Sequence, residues 1–265
     1  MAYGQTKEFK LAESLKEISG LEFLDEHTLV AINDGGNKAE LFVLEENGEI
    51  RKRVKVLDVK NTDWEDLTSD GTHLYIGDFG NNENKRENLR IYKVKISEVL
   101  NQSEVTAEKI SFSYKEQKKF PPKKKDLKYD AEGLLFHNDS LWVFTKMNAK
   151  PWNGKARVYK LPTTPGKYKV EAIDKLFIGD NGWWSDAVTS ADAHNGRMYL
   201  MTYKKIIVYK LKKGEMVELE TIMFDDLTQK ESILVKDSKT ILIADEKHAL
   251  FGGGKLYYLN PNNKE

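Results

Sequence analysis

One phrase recurs five times along this chain, and no other feature restricts the fold so strongly. A small polar or acidic cluster opens an apolar strand, as in Ser19-Gly20-Leu21-Glu22-Phe23 and Glu65-Asp66-Leu67-Thr68. It returns as Glu132-Gly133-Leu134-Leu135-Phe136, Thr189-Ser190-Ala191-Asp192-Ala193 and Glu231-Ser232-Ile233-Leu234-Val235. Each copy runs into Asn, Asp, Gly or Ser punctuation, such as His194-Asn195-Gly196, which reads as a hairpin turn. A second strand follows, for example Leu141-Trp142-Val143-Phe144, then a loop and a third strand. Three of the third strands carry a Tyr-Lys-apolar step: Tyr92-Lys93-Val94, Tyr159-Lys160-Leu161 and Tyr209-Lys210-Leu211. Four units close on a more polar fourth strand, at 50–57, 109–114, 170–177 and 217–224.

Self-similarity at this spacing is the mark of blades arranged around an axis. The reading is an all-β chain folded as a single-domain five-bladed β-propeller over residues 1–265, with blades at about 17–60, 61–115, 129–178, 187–225 and 229–260. The fifth unit lacks a fourth strand, and an orphan strand at 9–15 precedes the first, so pairing the two would close the ring. Closure removes the exposed sheet edges that otherwise invite association. A six-bladed ring is the alternative and would hide a blade in the irregular stretch 98–130; a sandwich gives no reason for five copies of one phrase.

In a propeller, residues opening the first strand and residues closing the second meet at one mouth of the central channel. The first set reads Ser19, Glu65, Glu132, Thr189 and Glu231; the second reads Asp34, Asp78, Thr145, Thr202 and Asp245. Like charges converging in a narrow, desolvated space repel unless something compensates. A cation on Glu65, Glu132, Glu231, Asp34, Asp78 and Asp245 is one answer, and an all-oxygen set suits a hard ion such as Ca²⁺. Neighbouring Lys146 and Arg86 are another, and solvated carboxylates around a wet channel a third. Trp64, Trp183 and Trp184 crowd the same face, so a ligand-binding set of Trp64, Arg86, Lys146, Trp183 and Trp184 is expected there. For Trp64, packing between blades competes with that role. The glycine-bearing loops Asn33-Asp34-Gly35-Gly36-Asn37 and Gly77-Asp78-Phe79-Gly80-Asn81 read as tight turns that can also present oxygens to a ligand.

The charge balance is 42 basic against 42 acidic residues, which argues against a nucleic-acid partner. The exception is the run 115–128, with seven lysines around Pro121-Pro122, a solvated loop that could recruit an anionic ligand or partner. No apolar run is long enough to span a bilayer. The absence of cysteine removes disulfides, thiol catalysis and thiolate metal sites. The compartment stays open: exported or periplasmic if a leader precedes the chain, otherwise cytoplasmic. The expectation is a monomer that holds a small molecule, glycan, peptide or protein at the mouth. The alternative is a cation-assisted hydrolase of a small ester, lactone, phosphoester or sugar, and the residues do not decide whether a reaction is catalysed.

Six phrases together resemble a group of bacterial propeller proteins without a settled activity. They are Ile18 to Leu21, Asn33 to Asn37, Asp63 to Asp66, Gly77 to Asn82 with Arg86, Asp130 to Leu134, and Gln229 to Ile233. The chain departs from that pattern at Asn81, where the group has Asp. A looser likeness, at the level of fold, is to calcium-dependent lactonase and esterase propellers. It implies a channel cation on Glu, Asn and Asp.

Overall fold

The computed structural model describes the backbone of residues 3–264 and the side chains of residues 7–261. Five sheets of four antiparallel strands, two of them extended by a parallel edge strand, stand around one axis. Blade 1 runs Ile18–Phe23, Thr28–Asn33, Glu40–Glu45 and Ile50–Leu57. Blade 2 runs Trp64–Ser69, His73–Asp78, Leu89–Lys95 and Glu108–Tyr114; blade 3 runs Asp130–Phe136, Ser140–Lys146, Lys155–Pro162 and Asp174–Phe177. Blade 4 runs Val188–His194, Arg197–Thr202, Lys205–Lys212 and Glu215–Met223. Blade 5 takes Lys230–Asp237, Thr240–Asp245 and Lys255–Lys264 from the C-terminal end and its outer strand, Tyr3–Lys10, from the N-terminal end.

Five blades are therefore correct, and the ring closes through the N-terminal strand. That strand ends earlier than its sequence suggests: after Lys10 the chain turns, and Glu13–Leu15 is a 3₁₀ turn rather than strand 9–15. Leu11 and Leu15, spaced as on one turn of helix, are both buried beside Leu21, Leu44 and Leu256. The stretch once eligible for a sixth blade holds a short helix at Ile96–Asn101 and two strands. One of these, Glu104–Thr106, lies parallel on the outer edge of blade 1. Likewise the outer strand of blade 3 begins at Asp174 rather than at Val170, and Val170 instead ends a strand, Gly166–Val170, that lies parallel on the edge of blade 2. Alternation explains the defection, because Tyr168 and Val170 pack into the apolar layer between blades 2 and 3. Two outer edges are thus covered by chain borrowed from the next blade.

The inner strands have a free edge too, facing the channel, and side chains from the preceding blade satisfy it. Asp66 of blade 2 accepts from the Leu134 amide at 2.9 Å, and Thr68 from Phe136 at 3.1 Å. Ser190 of blade 4 accepts from Ile233 at 3.3 Å, and Asp192 from Val235 at 2.6 Å. Blade 3 has Gly133 and Leu135 at the matching positions, so it offers blade 4 no acceptor. The Asp66 carboxylate reaches past it to Ala191 N and Ser190 Oγ, both at 3.1 Å. Buried amides need partners, so the polar residues of these strands are structural requirements.

Candidate functional site

The site is assembled by one backbone irregularity repeated in every blade. Pairing between first and second strands slips by one residue at Ser19, Glu65, Glu132, Thr189 and Glu231. A β-bulge re-aims the side chain it carries, and five equivalent bulges bring five side chains to one mouth of the channel. Three of the five are glutamates, and all five residues are buried.

The residues opposite each bulge are Asn33, Asp78, Thr145, Thr202 and Asp245. Asn33 Nδ2 donates to Ser14 O, whereas three of the others hold the third strand of their own blade: Thr145 Oγ1 accepts from Arg157 N, Thr202 Oγ1 from Lys205 N, and Asp245 Oδ1 from Lys255 N. Asp78 is paired with Arg86 at 2.8 Å and Arg90 at 3.4 Å, and Asp245 also accepts the Tyr257 hydroxyl at 2.6 Å. These two carboxylates are committed to their own blades and do not join Glu65. Asp34 does join it, because it stands one residue beyond the equivalent position, which is Asn33. The positions one residue on are Asp34, Phe79, Lys146, Tyr203 and Glu246, and four of these five turn to the axis.

One oxygen each of Asp34, Asp63 and Glu65 can be drawn within 4.8 Å of the others, a group able to hold a metal ion. Two glycines permit that approach. A Cβ on Gly80 would overlap Glu65 Oε1 and sit 2.7 Å from the Asp63 carboxyl carbon, and one on Gly35 would collide with Asp63. Glu65 is 4% exposed, and among the described residues no hydrogen-bond donor or basic side chain pairs with its carboxylate. Burial raises its pKa well above the ordinary carboxylate range, and Glu132, Asp34, Asp63 and Asp130 push it further. Asp34 is lifted to about 7, mainly by burial, against the hydrogen bond it takes from Gly35. Glu246 rises to about 9 through burial and the charges of Glu231 and Asp34. Asp63 is also raised by burial, with Arg86 at 3.8 Å opposing.

The other side of the mouth carries the buried ammonium of Lys146. Lys146 Nζ lies 3.2 Å from Glu132 and over the rings of Trp183, at 5.1 Å, and Tyr203, at 5.4 Å. Burial opposes its charge, but Glu132, Tyr203 and Glu231 more than restore it. Burial likewise raises Glu132, against the pull of Lys146. The Tyr203 hydroxyl donates to Glu231 at 2.7 Å. Asp130 takes Asn81 N at 2.6 Å and Asn148 Nδ2 at 2.7 Å, and Asn148 Oδ1 accepts the Trp183 indole N–H at 2.7 Å. Burial holds Asp130 at about 6. A cavity of about 350 Å³ opens beside this chain of contacts, lined by Asn148, Ala149, Lys150, Trp152, Trp183 and Trp184.

Of the expected ligand residues, Lys146 and Trp183 stand at the mouth, and Trp184, 48% exposed, stands on its rim. Arg86 borders it through Asp63. Trp64 is a correction: it is wholly buried between blades 1 and 2, 6.3 Å from Tyr92, with no surface to offer a ligand. Asp63, Asp130, Asn148, Tyr203 and Glu246 were missed as site residues. Asp63 and Asp130 were legible, because each precedes a bulge glutamate by two residues. Tyr203 and Glu246 could not be placed without knowing the bulge.

No protein-family model matches the chain, and no curated protein matches it by sequence. Solved structures do. A glutaminyl cyclase from Myxococcus xanthus is 14% identical with a TM-score of 0.60, over 98% of this chain and 96% of its own. The apo soluble aldose sugar dehydrogenase from Escherichia coli is 12% identical with a TM-score of 0.56, over 96% of this chain and 98% of its own. At such identity the likeness concerns architecture, and what this chain shares with both is the propeller fold over nearly its whole length.

Proposed function

We propose that the protein is a ligand-binding propeller whose channel mouth holds a hard divalent cation of the Ca²⁺ class on Asp34, Asp63 and Glu65. The observation that carries this reading is the convergence of the Asp34, Asp63 and Glu65 carboxylates, whose oxygens lie within 4.8 Å of one another, with Glu65 buried. An uncompensated buried charge is costly, and an ion offsets that cost. Oxygen donors alone favour Ca²⁺ or Mg²⁺ over thiophilic metals. A small molecule, glycan or peptide end would meet the ion on one side and the Trp152, Trp183 and Trp184 cavity on the other. The test is thermal melting at pH 7.5 with chelator and with Ca²⁺, Mg²⁺ or Mn²⁺. A melt insensitive to all three ions overturns the reading.

The second reading is a cation-assisted hydrolase, favoured by the two buried pairs beside the proposed ion. Lys146 with Glu132, and Tyr203 with Glu231, offer a proton donor and acceptor within hydrogen-bonding reach of each other. The ion would polarise a carbonyl or phosphoryl oxygen. Both fold neighbours are named as enzymes, though fold alone does not carry function. A panel of esters, lactones, phosphoesters and glycosides with added Ca²⁺ decides it, and turnover should vanish in Glu132→Gln.

A further inference from the structure

The lysine run is the largest charged feature that the mouth site does not use. Its seven lysines face two acids, a surplus of five in a chain of zero net charge. Lys115 pairs with Glu171 at 2.6 Å and Lys128 with Asp126 at 2.8 Å, while Glu116 is taken by Arg157 at 2.7 Å. Lys118, Lys119, Lys123, Lys124 and Lys125 are exposed, and none has an acidic partner within 4 Å among the described residues. At their centre is Phe120, an exposed aromatic ring followed by two prolines.

The segment is not a loose tail. Gln117 Nε2 donates to Asn84 O at 2.7 Å, and Asn84 Oδ1 accepts from Tyr129 N at 2.8 Å, so both ends are clamped to the loop that carries Gly80. Lys150 N donates to Lys124 O and Asn148 N to Leu127 O, each at 3.0 Å. The tongue therefore stands beside the tryptophan cavity. On the same rim Trp184 packs against Phe251 at 5.4 Å, and the adjoining Leu250 is 84% exposed.

Unpaired lysines interleaved with protruding apolar side chains form a surface suited to a bilayer interface. The ammoniums meet anionic headgroups, and the rings and the leucine enter the acyl boundary. A soluble polyanion would use the lysines but gain nothing from Phe120 or Leu250. We infer that the mouth face of this propeller docks on anionic lipid membranes, with Lys118, Lys119, Lys123, Lys124 and Lys125 as the electrostatic contact and Phe120 and Leu250 as the inserting residues. This inference is independent of the cation and stands or falls without it.

The experiment is co-sedimentation of the full chain with vesicles of phosphatidylcholine alone and with 30% phosphatidylglycerol, at about 50 and 300 mM salt. Binding is expected only to the anionic vesicles, and weaker at the higher salt. Lys118→Glu with Lys119→Glu and Lys124→Glu should lower affinity at least tenfold, and Phe120→Ala roughly threefold to tenfold. All four positions are exposed, and an unchanged melting temperature confirms that the variants fold. The inference is overturned if anionic vesicles are not bound at low salt. It is equally overturned if Phe120→Ala binds them as wild type does, or if soluble heparin binds while vesicles do not.

Discussion

Glu65 and Asp66 are neighbours in one strand, both are carboxylates, and both are almost wholly buried. Asp66 accepts four hydrogen bonds, from Leu67 N, Leu134 N, Ala191 N and Ser190 Oγ, and so ties blade 2 to blades 3 and 4. Burial raises its pKa, and those four donors work against the rise. Among the described residues no donor reaches the Glu65 carboxylate, and like charges surround it. Burial by itself therefore says little about function; the hydrogen-bond account separates a carboxylate that builds the ring from one left for a ligand.

The comparison is broken first by removing its structural half. Asp66→Ala orphans three amides and a hydroxyl at the centre of the channel. It should cost about 3–5 kcal/mol, or prevent folding altogether. Equilibrium denaturation in urea measures it, and a loss below about 1 kcal/mol would contradict the hub assignment.

Removing the other half should act in the opposite direction. Glu65→Gln relieves repulsion, so in chelator the variant should melt at or slightly above wild type. In Ca²⁺ at a hundredfold excess over its dissociation constant, it should lack the roughly 2.7 kcal/mol that wild type gains. Melts of both proteins in both buffers decide the matter.

The raised carboxyls add a pH dependence that sharpens the contrast. Asp34 at about 7 and Glu246 at about 9 bind protons more tightly folded than unfolded. Their stabilisation is thus present in acid and is lost as pH rises through those values. In chelator the fold should weaken by on the order of several kcal/mol between pH 5 and 9, and saturating Ca²⁺ should flatten that slope. A rise in stability with pH in chelator would refute it.

The smallest effect concerns the approach that glycine allows. Gly80→Ala places a methyl against Glu65 and Asp63, so it should weaken ion binding about tenfold, close to 1.4 kcal/mol. Titration calorimetry reads this directly, and unchanged affinity would place the ion elsewhere.

Much of this was legible in the residues. The five copies of one phrase specify blades, and the Glu-led copies mark which blades bring charge to the mouth, because strand periodicity and turn chemistry are local properties. The N-terminal strand was legible as the closing element but not in its limits, since Leu15 is held by packing rather than by pairing. Register between strands is a different matter. It depends on a bulge that inserts one residue in each first strand, and a slip of one residue exchanges the two faces. That slip decided that Asp34 and Lys146 turn to the axis while Asp78 and Asp245 turn to their own blades. It also buried Trp64 and brought Asp63 beside Glu65. Composition determined that carboxylates are plentiful near one end of the barrel of blades; only the tertiary structure decided which of them have partners, because those partners come from different blades far apart in the chain.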